Sequence, residues 1–461
     1  MPVDLSVELK TKRGTLVLRN PILPGSSELA IDEGTVKLCV DNEVGAVVTK
    51  SIFKQLPEML TTLPRPWAFP LDRFGPDHKG AWLLQGGVPS SERTPEEVVE
   101  KRVPKWKKMC QDAGIPLIIS ILDEVPANWP YLAKLVEDAG ADAIEMDASC
   151  PLAKVFYSTG GKTPVVFSED MWADLEVAKK IIRGVRDVTK VPIGAKLSLF
   201  HNPVALHALT WEAEGLSFIS GHNALPTVGV FIDTDKEEVL GTPGQACYIA
   251  GPTMVPLSLS RLAHVQQVVD LPVIGVGGIY TTSDVVQYLL LGCSAVQVCS
   301  AAYFRGHRVF KELVDGLRGW MEQHGYTRID QFQGKLRDDA TCLKSDWGER
   351  YGYHLQPSGQ GMLLHDQNPS PVVVRVNMET CTLCGVCDQM CLYDSIHVDL
   401  DKQVVNLDEA TCEGCGMCVG LCPENPGTLY LEDKRTGERI WDAVGLSEGF
   451  KKKAAGGYSL V

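Results

Sequence analysis

From about residue 15 to 323, short apolar runs rich in Val, Ile and Leu alternate with stretches whose apolar residues recur at helical spacing. The runs Pro21–Gly25, Gly45–Lys50, Leu117–Leu122, Ala143–Asp147, Ile193–Leu197, Ser217–Ser220, Val273–Val276 and Val296–Cys299 predict eight strands. Stretches such as Trp129–Ala139, Glu169–Val188 and Ser283–Leu291 predict the helices between them. Nearly continuous apolar strands alternating with helices imply a parallel sheet covered on both faces. Eight such units fit a (β/α)8 barrel better than an open sheet. Ala81–Leu84, in the long connection after the second strand, predicts a hairpin or an inserted strand, and Gln85 behind it is a candidate substrate-binding position.

This pattern divides the chain into a barrel over 1–323, a connector or lid over 324–375, a cysteine module over 376–432 and a polar tail over 433–461. The connector carries Trp347, Tyr351, Tyr353 and Leu363–Leu364, and the tail's basic run Lys451–Lys453 reads as solvated surface. Of the 461 residues, 44% are hydrophobic and 22% charged, which excludes a largely disordered chain. Lys plus Arg number 44 against 58 Asp plus Glu, so the net charge of -14 argues against a basic face for nucleic acid or an anionic membrane. No apolar run approaches the ~20 residues that span a bilayer. Met1–Lys12 shows no secretory h-region, so a soluble, cytoplasmic protein is expected.

Fifteen cysteines change the picture through their placement. Cys39, Cys110, Cys150, Cys247, Cys293, Cys299 and Cys342 are scattered, whereas the others form a repeat. Cys381, Cys384, Cys387 and Cys391 are followed by Cys412, Cys415, Cys418 and Cys422-Pro423. Each half is C-x2-C-x2-C-x3-C, the spacing of two-cluster bacterial ferredoxins, in which the fourth cysteine ligates the other cluster. One 4Fe-4S cluster is therefore expected on Cys381, Cys384, Cys387 and Cys422, and a second on Cys412, Cys415, Cys418 and Cys391. Zinc knuckles would use four local ligands, without the crossed fourth. Gly385, Gly414 and Gly416 suit the tight turns around the sulfurs. Such clusters carry single electrons, so electrons must arrive from one place and leave for another.

Chemistry in a (β/α)8 barrel sits at the C-terminal ends of the strands. Here those ends read Pro24-Gly25-Ser26-Ser27-Glu28, Thr49-Lys50-Ser51, Asp147-Ala148-Ser149-Cys150-Pro151, Ala195-Lys196-Leu197, Ser220-Gly221-His222-Asn223, Gly275-Val276-Gly277-Gly278-Ile279 and Gln297-Val298-Cys299-Ser300. Backbone amides after the seventh and eighth strands are the usual phosphate cradle. Two lysines and such a cradle suggest FMN, whose N1/C2 edge gains negative charge on reduction.

The motifs NPxxxGSS at 20–27, VTKS at 48–51, EMDASCP at 145–151, AKLS at 195–198, GVGGI at 275–279 and QVCSA at 297–301 resemble the flavin barrel shared by dihydropyrimidine dehydrogenase and class 1 dihydroorotate dehydrogenase. The appended cysteine module is similar to the C-terminal part of dihydropyrimidine dehydrogenases and the catalytic subunit of their two-subunit bacterial forms. The resemblance runs from about residue 14 to 430. It implies FMN contacts at Gly25, Ser26, Lys50, Ser51, Lys196, Gly251, Gly277, Gly278, Cys299 and Ser300, and a substrate-facing Asn223. It also implies an assembly of two or more copies, because the ferredoxin of one protomer serves a neighbouring barrel in that family. Dihydroorotate is the weaker expectation as substrate, since that enzyme's clusters normally lie on a separate subunit.

The departures from the family are specific. Asp147 stands where the family has asparagine, and His222 where it has a small polar residue. The loop after the fourth strand, 152–169, contains no cysteine, although the family carries its catalytic Cys or Ser there; Phe167 or a neighbour falls at that position. Flavin reduction of a C=C bond needs a proton donor on the far side of the substrate. Tyr157, Ser158, Lys162, Ser168, Glu169, His201 and His222 are candidates, with His222 first because histidine titrates near neutrality, and Glu28 a weaker one. A wall residue that orients substrate or flavin is the alternative for His222. Glu145 is expected in a polar barrel layer or paired with a lysine.

No G-x-G-x-x-G follows a strand, so electrons from NAD(P)H would need a separate FAD flavoprotein subunit, or ferredoxin would serve instead. Three functions remain: interconversion of a pyrimidine and its 5,6-dihydro form, reduction of another ring or activated alkene, or an FMN relay subunit in a larger complex.

Overall fold

Asn20 ties the first barrel strand to the approach of the second. Its side chain accepts the Ile22 N–H at 3.0 Å and donates to the Glu43 carbonyl at 2.6 Å, and Gly45 N–H reaches Ile22 O at 2.8 Å. The computed structural model describes residues 2–54, 67–70, 82–85, 94–150, 168–199, 201–222, 225–228, 232–233, 237–239, 246–337, 353–355, 361–363 and 370–442. Contacts divide the chain into two units, Met1–Thr341 and Cys342–Val461.

The first unit is built on β1 (Ile22–Pro24), β2 (Val47–Val48), β3 (Leu117–Ile121), β4 (Ala143–Met146), β5 (Ile193–Lys196), β6 (Phe218–Ser220), β7 (Val273–Val276) and β8 (Ala295–Val298). They pair in the order β1-β8-β7-β6-β5-β4-β3-β2, every pair parallel, so the sheet returns to its first strand as a nearly closed (β/α)8 barrel. Every residue of these strands is buried, which is why they read as apolar runs without alternation. Helices Asn128–Asp138 and Thr282–Leu291 lie within a residue of their predicted bounds.

The predicted helix Glu169–Val188 is instead two, Ser168–Ala173 and Leu175–Val188. Asp174 leaves the helical conformation (ψ 108°) and its carboxylate accepts from Glu176 and Val177 N–H, capping the second helix. Trp129, Trp172 and Trp211 stack edge to face at 5.4 and 5.3 Å in the layer between helices and strands.

Two features are additions to the sequence pattern. Val7–Thr11 and Gly14–Leu18 form an antiparallel hairpin ahead of β1. Trp82–Gln85 is indeed a strand, but in a four-stranded antiparallel sheet with Trp67–Pro70, Ala246–Ala250 and Leu225–Val228, assembled from the connections after β2 and β6. The segment past residue 323 packs on the barrel through buried Ile329 and Phe332, and Gly334 N–H donates to Leu289 O.

In the second unit Val372–Val376, Leu429–Asp433 and Glu438–Trp441 make a three-stranded antiparallel sheet, beside the hairpin Ile396–Asp399 with Val404–Leu407. Two short helices, Val386–Gln389 and Met417–Leu421, each follow a glycine at φ 77°, Gly385 and Gly416. Val373, Val374, Ile396, Val419 and Leu429 form its small core.

Candidate active site and cysteine cavities

Polar residues interrupt the apolar strands at inward positions just below the C-terminal end of the barrel. Glu145 of β4 is fully buried and takes Lys196 Nζ of β5 at 3.0 Å, Ser220 Oγ of β6 at 2.6 Å and Gln297 Nε2 of β8 at 2.5 Å. Burial alone would lower the Lys196 pKa, but Glu145 and Asp147 outweigh it and hold the ammonium protonated. Across the layer, Ser51 Oγ lies 2.9 Å from Ser120 Oγ and 3.2 Å from Ser26 Oγ. The Gln297 carbonyl oxygen is buried with no partner among the described residues, an acceptor that suits a bound group's N–H.

Lys50 pairs with Glu28 at 3.1 Å, and Glu28 also accepts the Tyr303 hydroxyl. Burial works against the Glu28 charge, but Lys50 and Tyr303 prevail and bring its carboxyl to about 2. The Lys50 ammonium is likewise held above its ordinary value against desolvation. Two lysines held protonated thus stand at the strand ends, each beside a carboxylate. After β7, Gly277 (φ 124°) and Gly278 (φ 76°) turn left-handed. A Cβ on Gly278 would lie 2.7 Å from Gly251 O and 2.8 Å from Val255 N, so only glycine lets these backbones meet. Ser300 opens the short helix after β8, and Cys299, packed against Gly25, has its thiol pushed up by burial.

Asp147 lies directly beyond β4, 7% exposed, with Oδ1 accepting from Ser149 N–H (3.2 Å) and Oγ–H (2.6 Å). His222 is fully enclosed against the helix Met254–Val268, where Nε2 accepts from Arg261 Nε at 3.3 Å and Nδ1 lies 3.3 Å from Ser258 Oγ. Burial, then Arg261 and His201, depress its pKa well below the usual value, so the ring is neutral, with both nitrogens engaged by protein. That is the geometry of a wall residue. His201 is also buried, stacked on His207 at 5.0 Å. Gln85 and Glu169 are described only as backbone, in the strand Trp82–Gln85 and the helix Ser168–Ala173; Asn223 and loop residues 151–167, with Tyr157, Ser158 and Lys162, lie outside the described residues. The strand reading did not single out Ser120, Ser220, Gln297, Ser258, Arg261 or Tyr303.

In the second unit one cavity is lined by Cys381, Cys384, Cys387 and Cys422, and another by Cys391, Cys412, Cys415 and Cys418. Cys422 thus lines the cavity of the first three cysteines and Cys391 that of the second three. Leu383 N–H donates to Cys381 Sγ at 3.4 Å and Ser395 N–H to Cys391 Sγ at 3.3 Å. Leu383 adopts φ 58° in that turn, a left-handed conformation uncommon away from glycine. Four thiols around a cavity, with amides aimed at sulfur, match the donor chemistry of an iron–sulfur cluster.

The family profile described as dihydroorotate dehydrogenase matches residues 9–321. The chain is 27% identical over 331 residues to the dihydroorotate dehydrogenase B (NAD(+)) catalytic subunit of Pyrococcus horikoshii, covering 71% of this chain and 97% of that protein. It is 30% identical over 236 residues to the Pyrococcus furiosus protein of the same name, covering 50% and 74%. It is 25% identical over 320 residues to the NAD-dependent dihydropyrimidine dehydrogenase subunit PreA of Escherichia coli K12, covering 68% and 70%. Among the described residues no helix is long and apolar enough to cross a membrane.

Proposed function

Because the chain belongs to the dihydroorotate dehydrogenase family of flavin oxidoreductases, we propose that it is a cytoplasmic iron–sulfur flavoenzyme interconverting a pyrimidine, uracil or thymine, with its 5,6-dihydro form. The observation that carries this reading is the pair of four-cysteine cavities on the same chain as the barrel. Saturating one ring C=C bond consumes two electrons and two protons, and two 4Fe-4S clusters would deliver the electrons singly. FMN would supply hydride chemistry at the barrel mouth. Gly25, Ser26, Ser51, Gly251, Gly277, Gly278, Cys299 and Ser300 would hold it, with Gln297 as an acceptor. Lys196 and Lys50 would stabilise its electron-rich edge, and the Glu145 network keeps Lys196 charged and fixed.

Asp147, Asn223 and Gln85 would meet the substrate. His222 positions the wall through Ser258 and Arg261. The proton donor would be Glu169, in the helix Ser168–Ala173 that follows the loop after β4. An NAD(P)H-oxidising FAD flavoprotein subunit, or ferredoxin, would exchange electrons with the clusters, in an assembly of two or more copies; relatives named as subunits of NAD-dependent enzymes support such a partner. The absence of cysteine from 152–169 favours, as a second reading, another unsaturated ring on the same machinery.

The test is anaerobic. Holoprotein with its FMN reduced by dithionite, freed of excess reductant, is mixed with uracil or thymine. Reoxidation of the flavin on a turnover timescale, with dihydropyrimidine formed, supports the reading. Unchanged flavin in protein that carries FMN and about eight irons refutes it in favour of another ring.

A further inference from the structure

Past the cysteine repeat, the polar stretch that begins at 433 adds a strand the repeat does not require. Glu438–Trp441 pairs antiparallel with Leu429–Asp433, at the edge of the three-stranded sheet. Asp433 faces Glu438 and Glu432 faces Arg439, but Leu431 faces Trp441, so Ile440 is the extra residue of a β-bulge. A bulge re-aims the side chains beyond it. In an unbroken register Ile440 would stand opposite Leu431; here the indole does.

The face that Trp441 thereby reaches is that of the second cysteine set. Leu431 lines the cavity of Cys391, Cys412, Cys415 and Cys418. Gly416, between Cys415 and Cys418, adopts φ 77°, and a Cβ there would lie 2.8 Å from the indole and 3.4 Å from Leu431 Cδ1. One helical turn on, a Cβ on Gly420 would lie 3.6 Å from the same ring. Trp441 therefore rests on the cysteine turn and on the short helix Met417–Leu421 that follows it. Among the described residues Cys415, directly before Gly416, is the exposed cysteine of its set, so the ring covers the turn beside the sulfur nearest water. Gly385, the corresponding glycine of the first repeat, meets no ring among the described residues.

We propose that Trp441 shields the second cluster, keeping water from its cysteine turn and thereby holding its reduction potential down. This goes beyond the ring-reduction reading above and rests only on the iron–sulfur part of it. A 4Fe-4S core on four thiolates is an anion, and reduction adds negative charge that water stabilises better than an indole does. Solvent exposure is accordingly one of the features that set such potentials. The cysteine spacing is the same in both halves of the repeat, so the bulged strand supplies a difference that the spacing does not.

The experiment uses the full chain with its clusters reconstituted anaerobically, and titrates both by electron paramagnetic resonance at poised potentials. It compares wild type, Trp441→Ala and Trp441→Leu, and the signal that Cys415→Ser abolishes identifies the second cluster. Trp441→Ala should raise the second cluster's midpoint by about 30–60 mV, a three- to tenfold change in the one-electron equilibrium. The first cluster's midpoint should stay in place. Deuterium coupling from heavy water at the reduced second cluster should grow with the shift. Trp441→Leu, which keeps an apolar side chain, should move both readings the same way by less, and it decides the matter if Trp441→Ala fails to hold the second cluster.

A second-cluster midpoint that does not move in a loaded variant, or equal shifts of both clusters, overturns the proposal. Loss of the second cluster from both variants assigns Trp441 to packing and overturns it as well. Wild-type protein that takes up no cluster overturns the iron–sulfur reading together with the proposal, whereas an unmoved midpoint overturns the proposal alone.

Discussion

Replacing Glu145 by glutamine tests the buried network directly. The carboxylate is fully buried and receives three donors: the Lys196 ammonium at 3.0 Å, the Ser220 hydroxyl at 2.6 Å and the Gln297 amide at 2.5 Å. Glutamine fills the same volume but leaves the Lys196 ammonium without its nearest countercharge. Breaking one side of a buried pair costs about 3–5 kcal/mol. Asp147 also raises the Lys196 pKa and remains in Glu145→Gln, offsetting part of the loss, so about 2–4 kcal/mol is expected. At about 2–4 °C per kcal/mol, the barrel transition should fall by roughly 5–15 °C.

Near-ultraviolet circular dichroism reads that transition through buried Trp129, Trp172 and Trp211, at one fixed scan rate because such chains seldom refold on cooling. Lys196→Met added to Glu145→Gln removes both charges, and removing a whole pair is often near neutral. The double variant should therefore melt above Glu145→Gln alone. A Glu145→Gln transition within about 2 °C of wild type, or a double variant whose losses simply add, refutes the assignment of the ion pair as the element that organises this layer.

The remaining predictions concern other parts of the site. His222 has a folded pKa well below its unfolded 6.5, so below pH 6.5 the unfolded chain binds a proton that the native ring refuses. Its contribution is complete above that value and declines as pH falls, by up to about 1.4 kcal/mol per unit; the transition temperature should drop between pH 7.5 and 5.5, and His222→Gln, with Arg261 and His201 unchanged, should drop less. Equal slopes would refute the neutral assignment. In the second unit Cys422→Ser should abolish the same electron paramagnetic resonance signal as Cys384→Ser, and Cys391→Ser the same one as Cys415→Ser. A Cys391 that groups with Cys384 would contradict the crossing. Gly278→Ala, whose methyl meets Gly251 O at 2.7 Å, should lose FMN by more than about tenfold in affinity with the clusters retained; normal flavin content would show that the two loops do not form the cradle.

The barrel was legible because burial on both faces turns each strand into a local apolar run; Val273–Val276 needed no correction. Elements that depend on distant pairing left no such mark. Trp82–Gln85 pairs with Ala246–Ala250 more than 150 residues away, and nothing in either segment names the other. The break at Asp174 did leave a signal, an aspartate whose carboxylate caps the helix that follows it, but the apolar spacing on either side runs through it. Periodicity measures which face is buried, and a cap that keeps the phase does not disturb it.

The site shows the same division at the scale of side chains. Lys50 and Lys196 stood out because a charge closing an apolar strand has one place to go, the mouth. Their partners required the closed sheet: Glu145 meets β6 and β8 only because the barrel brings β4 opposite them. Ser120, Ser220 and Gln297 share the inward face, and each is a polar residue inside an otherwise apolar strand. His222 lies two residues beyond the last paired residue of β6, where the ladder no longer dictates direction, and the helix carrying Ser258 and Arg261 decides it. The cysteine repeat is legible for the opposite reason. Three cysteines of each set lie within seven consecutive residues, so the chain itself holds them together, and the spacing of the repeat already carried the exchange of Cys391 and Cys422.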